Sequence, residues 1–111
     1  MLILLWNDWN RDHIAKHGVT PREAEYVVRH ARKPFPVTRE GGKRLVWGRT
    51  DAGRYLQVIF IEPEDEDVDL DLMTEAELMA FSDGDGDVAY VIHAMELTGR
   101  MKRTHRKGAQ P

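Results

Sequence analysis

His13 and His17 stand four residues apart in "HIAKHG", so on a helix both imidazoles share one face and reach toward one metal ion. Two ligands do not make a site. The position after His13, where a zinc-protease helix carries its glutamate, is Ile14. The spacing therefore points to no metal and no other cofactor. It reads His17 as a last-turn residue that complements the helix dipole before Gly18 turns the chain. With no cysteine, thiol catalysis, disulfides and cysteine-held zinc or iron–sulfur are excluded, and a cytoplasmic location is expected. "DGDGD" has the look of a calcium loop, but the twelfth position from Asp83 is Ala94 rather than glutamate.

Charge is the second feature. The net value of -3 hides a strong partition, because no Lys or Arg lies between Tyr55 and Gly99, whereas twelve acidic residues fall between Glu62 and Asp87. The chain reads as one basic domain interrupted by an acidic insert at about 62–87, which leaves a polyanionic partner open. The insert reads as a solvated, partly disordered loop. A sharper alternative folds it over the basic surface as a mimic of nucleic acid. The apolar start "MLILLW" is too short for a membrane span.

The elements that must position these groups follow from punctuation and periodicity. Residues 2–6 read as a strand. A helix over Trp9 to His17 is capped by Asn7 or Asp8. Thr20, Pro21 and Glu23 form a second helix start with a capping box, and Ala24, Val27, Val28 and Ala31 give that helix its apolar face. Phe35–Arg39, Lys43–Thr50 and Arg54–Ile61 read as an antiparallel meander with turns at Gly41-Gly42 and Asp51-Ala52-Gly53. A short helix capped by Thr74, a last strand over Val88–Met95 and a basic C-terminal helix complete the chain. The expectation is a single α+β domain over 1–111, with two N-terminal helices packed on an antiparallel sheet. Trp6, Trp9 and Trp47 read as core anchors.

"IAKHGVTPREAE" resembles the amino-terminal signature of the BrnT-like toxins, and "GGKRLVWGRTDAGRYLQVIFI" is similar to that family's central hairpin. The resemblance spans roughly 3–61 and, more loosely, 88–107. It implies a RelE-like fold and a metal-independent endoribonuclease toxin of a type II toxin–antitoxin pair, acting on RNA and neutralised by a small antitoxin protein. The chain departs from the family pattern at several places. Met95 follows Ala94 where an arginine is usual, Met101 stands near the usual glutamate of the terminal helix, His105 near the usual tyrosine, and His13 where many members carry asparagine. The alternative is a non-catalytic binding module of the same fold that engages a protein partner.

Metal-free RNA cleavage needs a base for the 2′-hydroxyl, an acid for the leaving 5′-oxygen and cations for the phosphorane charge. Imidazole suits the first two roles and guanidinium the third. The catalytic candidates are His93, Arg44, Arg54 and His105. The RNA-binding candidates are Arg49, Tyr55, Arg100, Lys102, Arg103 and Arg106. Arg44 and Arg49 are an odd number of residues apart, so a regular strand sends them to opposite faces. Val91 and Ala89 share the parity of His93, which makes a core histidine the competing reading for it.

Overall fold

The computed structural model describes residues 1–108. Its element order is β1 (Leu2–Leu5), α1 (Asp8–Ala15), α2 (Pro21–Arg29), β2 (Val37–Arg39), β3 (Lys43–Arg49), β4 (Tyr55–Ile61), α3 (Glu75–Ser82), β5 (Asp87–Glu96) and α4 (Gly99–Arg106). The fold is α+β, with four helices and one five-stranded sheet in the order β1-β5-β4-β3-β2. The sheet is mixed rather than antiparallel, because the first strand lies parallel to the last, with Leu2 opposite Asp87 and Leu5 opposite Tyr90. The remaining pairs are antiparallel. No local signal specifies the parallel pair; its partners are far apart in sequence and meet only because both are strongly apolar. Among the described residues, no helix is long and apolar enough to cross a membrane.

The helix starts follow their capping chemistry. Asn7 and Asn10 cap each other reciprocally, as do Thr20 with Glu23 and Thr74 with Glu77. Buried Asn10 also donates from Nδ2 to the Leu5 carbonyl at 2.9 Å, which fixes α1 to the end of β1. The turn after α1 closes through Gly18 N–H to the Ala15 carbonyl and Val19 N–H to the Ile14 carbonyl. Gly18 adopts a φ of 69° there, a left-handed conformation that favours glycine.

Two apolar clusters flank the sheet. The larger joins Ile14, Val19, Ala24 and Val27 of the helical side to Val46, Leu56, Val58 and Ala94. Gly48 lets α2 approach β3 closely, since a Cβ there would lie 3.1 Å from Val27 Cγ1. The smaller cluster joins Ile3, Leu5 and Val88 to Met73, with Val68, Leu72, Leu78 and Phe81 packed around it. Leu4 belongs to the first cluster and Ile3 and Leu5 to the second, as strand alternation requires. The acidic segment is therefore not a loose loop. Most of its carboxylates are exposed, while Val68, Leu72, Met73, Leu78 and Phe81 cover one face of β1 and β5, and Leu70 and Met79 stay in solvent. Phe35, expected in a strand, lies before β2 as a buried loop residue against Trp47.

Trp47 is buried, as a core anchor should be, and Trp6 is half-buried. Trp9 is not an anchor. It is 61 % exposed and stacks on His13, with ring centroids 5.1 Å apart.

Candidate functional site

The fold divides the site residues expected from sequence among four places. The first is a cleft of about 450 Å³ lined by His30, Arg32, Lys33, Arg49, Tyr55 and His105, with Tyr26, Trp47, Gly48, Thr50 and Asp51 completing its wall. It opens where the end of α2, the β3–β4 turn and α4 meet. β3 and β4 place Arg49 opposite Tyr55. α4 then brings His105 within 6.1 Å of the Tyr55 ring, 6.2 Å of Trp47 and 5.7 Å of Phe35, centroid to centroid. Arg106 lies with its guanidinium carbon 5.8 Å from the centre of the Tyr55 ring.

Burial against these rings pushes the His105 pKa below the ordinary histidine value, so its imidazole is neutral at pH 7 and has a lone pair to accept a proton. His30 was not a sequence candidate. It follows α2, stacks on Tyr26 at 3.9 Å, and its Nδ1 lies 2.8 Å from the Tyr26 carbonyl. A carbonyl only accepts, so Nδ1 carries the proton and Nε2 is left for another partner. Its sequence signal was slight: an imidazole four residues after a tyrosine at a helix end.

The second place is a cluster of His13, His17 and His93. Their ring centroids are 6.1 Å apart for His13 and His17, 5.7 Å for His13 and His93, and 4.9 Å for His17 and His93. One nitrogen from each lies within 4.8 Å of the others, and this is the one such grouping of three or more histidines and carboxylates among the described residues. His93 enters it through an irregularity in β5. Ile59 faces His93 but Phe60 faces Val91, so Ile92 is an extra residue in the β5 ladder. A bulge of this kind re-aims side chains. It takes His93 out of the alternation that buries Ala89 and Val91, so His93 is half-buried rather than a core histidine. β1 pairs only as far as Tyr90, and α1 packs on β5, which carries His13 and the following turn toward His93. Burial first, then the neighbouring His17 and His13, lower the pKa of His93.

The third place is structural. Arg54 Nε donates to Glu96 at 2.6 Å, while Nη1 donates to the Gly18 carbonyl at 2.7 Å and to both oxygens of Glu23 at 3.1 Å. Hydrogen bonding to Glu96 raises the Arg54 pKa against its burial, and Glu23 adds to the effect. For Glu23, burial acts to raise the pKa, but the Thr20 amide and Arg54 outweigh it, and the net shift is downward. Arg54 is thus a strut joining the α1–α2 turn to β4 and β5, with Nε and Nη1 engaged by Glu96, Glu23 and the Gly18 carbonyl.

Arg44 occupies the fourth place. It pairs with Glu62 at 3.2 Å and lies 5.9 Å from the Phe60 ring centre, on the face opposite Arg49 as strand parity requires. Arg100 and Arg103 are exposed on α4 and Lys102 is half-buried; none of the three is among the residues lining the cleft. The proposed quartet His93, Arg44, Arg54 and His105 therefore does not share one pocket. His105, Arg49 and Tyr55 do, and Arg106 borders it.

No family model, no curated protein and no solved structure matches this chain.

Proposed function

We propose that this chain is a metal-independent endoribonuclease with its chemistry in the His30–His105 cleft, a RelE-like domain of the BrnT-like toxin kind that its N-terminal and hairpin segments resemble. The supporting observation is the composition of that cleft: two imidazoles, the cations Arg32, Lys33 and Arg49, and the aromatic face of Tyr55 around one cavity. An RNA strand needs these groups together, with guanidinium for phosphate, an open ring for a base, and acid and base for the sugar and leaving oxygens.

The two imidazoles divide the proton transfers between them. Neutral His105 takes the proton of a 2′-hydroxyl. The 2′-oxygen attacks phosphorus, and the bond to the 5′-oxygen breaks. That oxygen receives a proton from His30 acting as the general acid, leaving a 2′,3′-cyclic phosphate and a free 5′-hydroxyl. Arg49, with Arg32 or Lys33, offsets the charge on the phosphorane. An antitoxin that covers this cleft would shut the reaction off, and it is the protein partner this reading implies.

A non-catalytic binding module of the same fold is the second reading. It is favoured by one observation, that Arg54 and Arg44 are both engaged in ion pairs away from the cleft. The test separates the two. Purified wild-type chain is incubated with a mixed-sequence RNA in EDTA, beside His105→Ala and His30→Ala, with folding followed by circular dichroism. Cleavage to cyclic-phosphate ends by the wild type alone is the expected result. A folded wild-type chain that leaves the RNA intact removes the nuclease reading and moves the assignment to the protein-binding module.

A further inference from the structure

The His13–His17–His93 cluster is outside the cleft, shares none of its residues and has no part in the reaction proposed for it. We propose that these three imidazoles bind one divalent transition-metal ion of the zinc class, leaving an open fourth position.

Three features of the site carry this. The first is convergence from separate parts of the chain. His13 comes from α1, His17 from the turn after it and His93 from β5, and one nitrogen of each lies within 4.8 Å of the other two. A tetrahedral ion with metal–nitrogen distances of about 2.0–2.1 Å holds its nitrogens roughly 3.3 Å apart, so modest ring rotations close the set around it. The second feature is what the rings lack. Among the described residues, none of the three rings makes a hydrogen bond, so their nitrogens are uncommitted. The three rings meet with no carboxylate or carbonyl bonded to them, and a shared metal ion is the partner that fits their convergent lone pairs.

The third feature is support. The bulge at Ile92 turns His93 toward α1, and the Gly18 turn that follows His17 is pinned through its carbonyl to Arg54, itself held by Glu23 and Glu96. The site thus has a strut behind it. All-nitrogen ligation suits zinc, nickel and copper rather than magnesium or calcium, which prefer oxygen. With three protein ligands, a water completes the shell, as in open zinc sites.

Trp9 makes the site observable. It stacks on His13 and is the most exposed of the three tryptophans, so copper bound at the cluster quenches its fluorescence. The experiment uses tag-free chain stripped with EDTA and titrated with zinc by calorimetry, with copper by Trp9 fluorescence, and with cobalt by visible absorption. The expected result is one zinc per chain, a cobalt spectrum of tetrahedral character, and copper quenching that is lost in the His17→Ala, His93→Gln double variant. His17→Ala, an exposed position that leaves packing intact, weakens zinc at least tenfold, and His93→Gln does the same. His30→Ala, outside the cluster, leaves zinc binding unchanged. Unchanged zinc affinity in the His17→Ala, His93→Gln double variant overturns the proposal, as does a wild-type chain that takes up no zinc or binds magnesium equally well.

Discussion

The cleft and the three-histidine cluster use the same side chain for ligands of opposite charge, and their neighbours decide which. In the cleft, His30 and His105 sit among Arg32, Lys33 and Arg49, a field that draws a phosphate and repels a metal ion. In the cluster, His13, His17 and His93 face one another; of the cations beside them, Arg54 is held by Glu23 and Glu96 and Lys16 is exposed. Lone pairs converging with no unpaired cation among the ligands favour a metal. The lesson is that an imidazole's task is read from the charges around it rather than from its own position on a helix or strand.

The largest test of that division is a double dissociation. Replacing His105 with alanine removes the base and is expected to slow RNA cleavage by about 10²–10⁴-fold, while zinc binding at the cluster is untouched. His17→Ala is expected to do the reverse, with zinc binding lost and the cleavage rate within about twofold of wild type, the precision of an additive treatment of separate sites. If either variant moves both readouts together, the two sites are one functional unit and the comparison collapses.

Next in size is the effect of metal on stability. An ion that joins α1 and its following turn to β5 binds the folded chain in preference to the unfolded one. Zinc at a hundredfold excess over its dissociation constant adds about 2.7 kcal/mol. For a chain of this size, at about 4 °C per kcal/mol, that corresponds to a rise in Tm of roughly 10 °C. RNA fragments that occupy the cleft should raise Tm in the His17→Ala variant as well, whereas zinc should not. A zinc-induced rise that persists in His17→Ala places the ion elsewhere.

Much of this was legible in the chain, and the division between what was and was not has a physical basis. Thr20 with Glu23, Thr74 with Glu77, and the left-handed Gly18 are local chemistry, and each appears in the structure, although α1 ends at Ala15 and leaves His17 in the turn rather than in the last helical turn. The opposite faces of Arg44 and Arg49 followed from strand parity alone. The parallel pairing of β1 with β5 was not legible, since it joins residues more than eighty positions apart. The histidine cluster was hidden for the same reason. The pair His13 and His17 was visible, but the third ligand lies seventy-six residues beyond His17, and only a one-residue bulge at Ile92 turns it toward α1. The acidic segment misled because its carboxylates dominate the composition, while the five apolar residues that cover Ile3 and Leu5 are thinly spread. Arg54 looked catalytic because arginine suits phosphate; the sequence did not show that Glu23 and Glu96 would already hold it.

Arg54→Ala is the third test, with an intermediate effect. It removes charge-assisted bonds to two carboxylates and a carbonyl, one of them to the well-exposed Glu96. About 1–2 kcal/mol of stability should be lost, less than buried ion pairs cost because solvent screens the Glu96 side. The turn bearing His17 then loses its anchor, so zinc affinity should fall several-fold while cleavage in the cleft changes little. Cleavage lost with folding and zinc affinity intact would return Arg54 to the catalytic role that its residue type first suggested.

The smallest effect, and the one that most finely separates the strut from the sites it supports, is the pH dependence of Glu23. Its carboxyl is held below its ordinary pKa of 4.5 by the Thr20 amide and Arg54, in spite of burial. Below that ordinary value the unfolded chain binds a proton that the folded chain still refuses. The stabilisation is therefore complete above about pH 4.5 and is lost as the pH falls through the lower folded value. Glu23→Gln keeps a side chain able to close the capping box with Thr20 and removes only the charge. The variant should be about 0.5–1 kcal/mol less stable than wild type at pH 7, measured by urea unfolding, and the gap should close as the pH drops below 4.5. A gap that stays constant from pH 7 to pH 3 would mean that the carboxylate charge contributes nothing, and that the α1–α2 turn is held by the Gly18 carbonyl and packing alone.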